Sequence, residues 1–241
     1  MGVKLEVCVD TVAGLHAAIA GGADRIELCA ALDIGGLTPS PGLIAAASGA
    51  AIPVRAMIRP RAGDFCFDPA EFAQMKCEID AVRDAGLDGV VLGIATPNGG
   101  LDVAAMAELR RYADTLHASL HRVIDTVTDM NDAVEAAVEV GFDTILTSGG
   151  AKRAAQGCDR LAEMVGAASG RLCIMPGSGV TRENCVQIVQ ATGADWVHSS
   201  CSAAVTMPDH LVDMGFCSAQ MMQTSRAKTQ ELADMCHGFP A

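Results

Sequence analysis

The segment HASLHRVIDT, His117 to Thr126, puts two imidazoles, a guanidinium and a carboxylate into ten residues. On a helix, His117 and His121 stand four apart, as in a zinc motif, but the glutamate that should follow the first histidine is missing. On a strand, His117, Ser119 and His121 face one way and Arg122 the other. His117 then lies at the strand start and reads as structural. His121 near the strand end reads as a general acid/base, with Asp125 as its orienting partner or as a ligand for substrate hydroxyls.

Comparable residues recur along the chain. Glu6 lies in KLEVCVD, Glu27 in RIELCA, Arg59 in IPVRAMIRP and His198 in DWVHSSC. Charged side chains inside buried parallel strands require a reason, and the ordinary one is pairing in the core. Two glutamates, several arginines and two histidines converging on one mouth mark a site instead. Glu6, Glu27, Arg59, His121, Arg122 and Asp125 are therefore the candidate catalytic set. A second set would hold an anion. LTSGGA and MPGSGV offer free backbone N–H groups at Ser148, Gly149, Gly150, Gly177, Ser178 and Gly179. Thr181 is expected to cap a following helix, and Arg61 adds charge. These glycines equally serve as tight turns.

The elements that must position these residues repeat. Eight β-like runs alternate with Ala-rich helical patterns across about 200 residues, which suits a (β/α)8 TIM-type barrel; an open doubly wound sheet is the rival. Gly-x-Asp recurs before strands at Gly22–Asp24, Gly86–Asp88, Gly141–Asp143 and Gly193–Asp195. Such repetition points to one architectural unit, with glycine ending a helix and the acid turning into the next strand. The 241 residues read as a single domain, and the Met-rich stretch after about residue 205 as a helical extension.

Composition limits the function. A net charge of −12 and 3% aromatic residues argue against a nucleic-acid partner. No run of apolar residues is long enough to cross a membrane, and no membrane partner or export signal is expected. The ten cysteines lie at least eleven positions apart, which excludes a C-x-x-C motif and fits reduced thiols in the cytoplasm.

EVCVD, GGADRIELC, GGLTPS, MIRPRAGDF, HRVID, LTSGG and MPGSGV occur in this order from Glu6 to Val180. Together these segments resemble the CutC family, named for copper homeostasis. The resemblance implies a TIM-type barrel, a cytoplasmic homodimer, and Cu(I) binding. It nominates Cys8 and Cys29 as metal ligands, and soft thiolates do favour Cu(I). Both cysteines lie two residues beyond a strand glutamate, so all four side chains can face inward; as buried small apolar residues they have a structural reading too. The sequence departs from the family at Val123 and Ile124, at Ser178 where a glycine is usual, and at Ser202 where a basic residue is expected. The alternative function is an enzyme using acid/base chemistry on a small oxygen-rich or phosphorylated metabolite.

Overall fold

The computed structural model describes residues 2–239. Eight short parallel strands form its centre: β1 (Lys4–Val9), β2 (Arg25–Leu28), β3 (Val54–Met57), β4 (Gly89–Leu92), β5 (His117–Leu120), β6 (Thr144–Thr147), β7 (Cys173–Pro176) and β8 (Trp196–Ser199). Their order is β7-β6-β5-β4-β3-β2-β1-β8, and the two end strands lie against each other. This is a nearly closed (β/α)8 barrel. The connecting helices are α1 (Val12–Ala20), α2 (Pro41–Ala47), α3 (Pro69–Asp84), α4 (Val103–Ala113), α5 (Met130–Val140), α6 (Cys158–Ala168) and α7 (Cys185–Thr192).

Strand alternation sorts the residues. Leu5, Val7, Val9, Ile26, Leu28, Ala118 and Leu120 belong to the apolar layer that packs strands against helices. Residues of the opposite phase meet one another inside the barrel. There Arg55 donates to Ser119 and Thr144, and Arg25 reaches Met175. Branched aliphatic side chains commonly fill such a barrel; here much of the interior is charged.

The Gly-x-Asp repeats do what their chemistry allows. Gly141 ends α5 at φ +90, a left-handed conformation that costs glycine no Cβ clash. The Asp143 carboxylate then accepts from the Ala118 N–H, tying this turn to the neighbouring strand. Asp24 does the same for Leu5.

Three local expectations are corrected. The fifth strand stops at Leu120, and Arg122–Thr126 forms a 3-10 turn capped by the His121 side chain. Thr181 does not cap α7: that helix begins at Cys185, and Thr181 instead donates its N–H to the Asn184 side chain. The segment after Val205 is not simply helical. Antiparallel strands β9 (Ser202–Thr206) and β10 (Gln220–Thr224) flank the short α8 (Asp209–Asp213), and α9 (Arg226–His237) follows.

Helix α9 packs on the outside of the barrel, against β1 and beside α1 and α7. The Cys236 carbonyl accepts from the Val3 N–H, and Leu232, Ala233 and Cys236 join the main core. By contrast, Met214 and Phe216 are 70% and 74% exposed. Leu232→Ala should therefore lower unfolding stability by about 2–5 kcal/mol. Phe216→Ser should change it by less than about 0.5 kcal/mol. Urea denaturation followed by circular dichroism checks both; equal losses would refute this division of the extension.

Candidate functional site

A cleft of about 670 Å³ opens at the C-terminal ends of the strands. Its walls include Cys8, Glu27, Met57, Arg59, His121, Leu146 and His198, and its rim includes Ile34, Phe65, Arg122 and Lys152.

Strand register builds the inner part. Glu6 pairs with Arg25 on one side and with His198 on the other, and Cys8 lies beside Glu27. The Glu6 carboxylate is ion-paired to the Arg25 guanidinium and meets His198 Nδ1 at 2.8 Å. His198 Nε2 is 3.8 Å from Glu27 Oε2. Cys8, Glu27 and His198 each bring one potential ligand atom within 4.8 Å of the others, and all three are buried.

Burial opposes ionisation of Glu6, but Arg25 and His198 outweigh it and lower its pKa from 4.5 to about 2. Burial also opposes charge on His198, but the Cys8 thiol group and the carboxylates of Glu27 and Glu6 raise its pKa well above the ordinary range. Burial raises the pKa of Glu27; the attraction of His198 offsets part of that rise, and Glu6 adds a smaller repulsion. Cys29 donates to Glu27 Oε2 at 3.5 Å; burial and that carboxylate hold its thiol protonated.

His121 lies elsewhere on the wall. The Val123 N–H donates to its Nδ1 at 3.2 Å, so the neutral ring carries its proton on Nε2. Burial, then the nearby positive charge of Arg59, lowers its pKa to about 3. Gly93 makes room for the ring: a Cβ there would sit 2.7 Å from His121 Cε1.

The expected sets are only partly assembled. Glu27, Arg59, His121, Arg122 and Asp125 line the cleft, whereas Glu6 lies below it. Asp125 does not orient His121. Its carboxylate accepts from Thr147 Oγ1, the N–H groups of Ser148 and Gly150, Ser148 Oγ and Arg122 Nε. The loop expected to cradle an anion is thus already filled by a side chain of the protein. Gly150, Ser178 and Gly179 line the cleft; Ser148, Gly149 and Gly177 do not. Gly177 packs beneath Leu146 and His198. Arg61 is turned away to Glu71 and Asp64.

Cys8 joins the candidate ligand cluster, and Cys29 stands beside it. Strand pattern alone gives His198 no specific role and does not bring Phe65 and Lys152 to the cleft. The two-residue phase from Trp196 to His198 was the available signal for the histidine.

The pH dependence has a sign. Glu6 has a folded pKa below its unfolded value, so its contribution is present above pH 4.5 and disappears as pH falls toward 2. His121 takes up its proton more readily when unfolded, so it too costs stability as pH falls from 6.5 toward 3. Glu27, with its pKa raised, acts in the opposite sense above pH 4.5, so stability measured by denaturant titration should drop most clearly from pH 4.5 to 2. Nitrogen-15 NMR should show His121 as the neutral Nε2–H form at pH 5, unchanged in Asp125→Asn. Protonated His121 at that pH, or a changed tautomer in the variant, would overturn the geometry described.

Comparison with known proteins agrees with this architecture. The CutC family model matches residues 3–203. A CutC family protein from Sinorhizobium medicae is 49% identical over 231 residues, covering 95% of this chain and 94% of the relative. One from Caulobacter vibrioides is 50% identical over 232 residues and covers 95% of each. A crystal structure of a Streptococcus agalactiae protein named CutC for copper homeostasis superposes with a TM-score of 0.79. It is 31% identical and covers 82% of this chain and 98% of its own. A thiamine phosphate pyrophosphorylase from Pyrococcus furiosus shares only the fold, at 16% identity and a TM-score of 0.60 over 97% and 95% of the two chains. With the family match spanning the whole barrel and relatives near half identity, the chain belongs to the CutC family.

Proposed function

We propose that this CutC family member binds Cu(I) in the cytoplasm, at the inner end of the barrel cleft. The carrying observation is the buried cluster of Cys8, Glu27 and His198. A thiolate and an imidazole suit a soft monovalent ion, and Glu27 supplies charge beside them. Glu6 supports this reading: a carboxylate on Nδ1 leaves Nε2 directed at the cluster, the usual way a metal-binding histidine is oriented. Glu27 Oε1 is buried and lacks a protein partner, so the cluster has unused donor capacity. Cys29 is the adjacent thiol that could join as copper displaces protons.

The ten cysteines, none of them disulfide-bonded among the described residues, fit a reducing compartment. A homodimer, implied by the family, would have an apolar surface available at Met214, Phe216 and Met222. The acid/base enzyme reading has less support. His121 is held neutral, and Asp125 is committed to its loop.

Copper must displace protons from Cys8 and His198, so affinity should fall as pH is lowered. Competition against a Cu(I) chelator should show Cys8→Ser and His198→Gln weakening binding at least about tenfold. Glu6→Gln should weaken it about 10–100-fold, through the orientation of His198. Cys29→Ser should have a smaller effect than Cys8→Ser. Unchanged affinity in both Cys8→Ser and His198→Gln would exclude this cluster.

A further inference from the structure

Among the described residues, three buried side-chain polar atoms lack a hydrogen-bond partner: Glu27 Oε1, Arg59 Nε and His121 Nε2. All three residues line the same cleft. Buried polar groups are nearly always paired, so three unpaired atoms on residues around one space call for a ligand that supplies the partners.

Arg59 is decisive. Three arginines are buried in the barrel, Arg25, Arg55 and Arg59. Arg25 has Glu6, and Arg55 has Asp88 and Asp143. Arg59 has no carboxylate partner among the described residues. Its terminal nitrogens donate to the carbonyls of Ile34, Gly36 and Gly63, which order two loops and neutralise no charge. A buried cation without a counter-ion is costly, and an anion in the cleft would compensate it.

His121 stands beside this charge. The Phe65 ring lies 4.8 Å from the Arg59 guanidinium carbon and 4.9 Å from the imidazole centroid. One aromatic thus braces two donors, the Arg59 Nε–H and the His121 Nε2–H. Phosphate is a poor occupant, because Asp125 already consumes the Ser148 and Gly150 N–H groups that would cradle it. A planar carboxylate needs fewer donors and suits this pair. The third orphan, Glu27 Oε1, pairs with a hydroxyl, which both donates and accepts.

We propose that the cleft binds a small hydroxy carboxylate, with its carboxylate on Arg59 and His121 and its hydroxyl on Glu27. This goes beyond the copper reading: Arg59 and His121 stand outside the Cys8–Glu27–His198 cluster, and Glu27 is the one residue the two sites share. Lys152 on the rim adds favourable charge.

Calorimetric titration of the metal-free protein with glycerate, propionate and inorganic phosphate tests the proposal. Glycerate should bind wild type about tenfold more tightly than propionate, which lacks the hydroxyl, and more tightly than phosphate. His121→Asn keeps an acceptor for the Val123 N–H but removes the Nε2 donor, and should weaken glycerate at least about tenfold. His121→Gln, which restores a donor near the Nε2 position, should recover much of that loss. Arg59→Gln should abolish binding; because it also unties loops, the two His121 variants carry the conclusion. Absence of glycerate binding, a preference for phosphate, or unchanged binding in His121→Asn would each overturn the assignment.

Discussion

A carboxylate buried inside the barrel, that of Glu6, holds two cations at once. Arg25 lies on one flank and His198 on the other, both placed there by strand register. Removing a charge from water is expensive, and only a close partner restores the loss. The three groups therefore depend on one another and on closure between β1 and β8. Truncating Glu6 would strand Arg25 and release the histidine that completes the cluster at the end of the cleft. The charged interior of this barrel thus links its integrity to the geometry of its site.

The mouth follows a related logic. Asp125 looks like a catalytic acid by position, yet it works as an internal anion for the loop after β6. Arg59 looks like a free anion receptor, yet its terminal nitrogens order two loops and leave Nε as its unpaired donor. Loop backbones carry many unpaired polar groups, and side chains at strand ends are well placed to satisfy them. Chemistry is left to the atoms that this scaffolding does not consume, and the residues that carry them line one cleft.

Much of the architecture was legible in the chain. The alternating units revealed the barrel, and the Gly-x-Asp repeats marked its turns because a left-handed glycine and a backbone-accepting carboxylate act locally. The phase of Glu6, Cys8, Glu27, Ser119 and His121 was legible too, since strand alternation has a period of two. Local pattern failed where a turn competed with a continuing element. HRVID carries strand-like residues but folds as a 3-10 turn around the His121 cap. TREN resembles a helix start, but Asn184 accepts the Thr181 N–H and delays α7 to Cys185.

By itself the sequence determined the fold class, the family likeness and the set of polar residues able to reach the barrel interior. These follow from periodicity and residue type, which are properties of short stretches. Only the tertiary structure decided which of those residues meet. It put Glu6 beneath the cleft, turned Arg61 outward, gave Asp125 to a loop and brought His198 to Cys8 and Glu27. Partners such as Glu6 and His198 lie 192 positions apart, and closure of the barrel is what sets the distance between them.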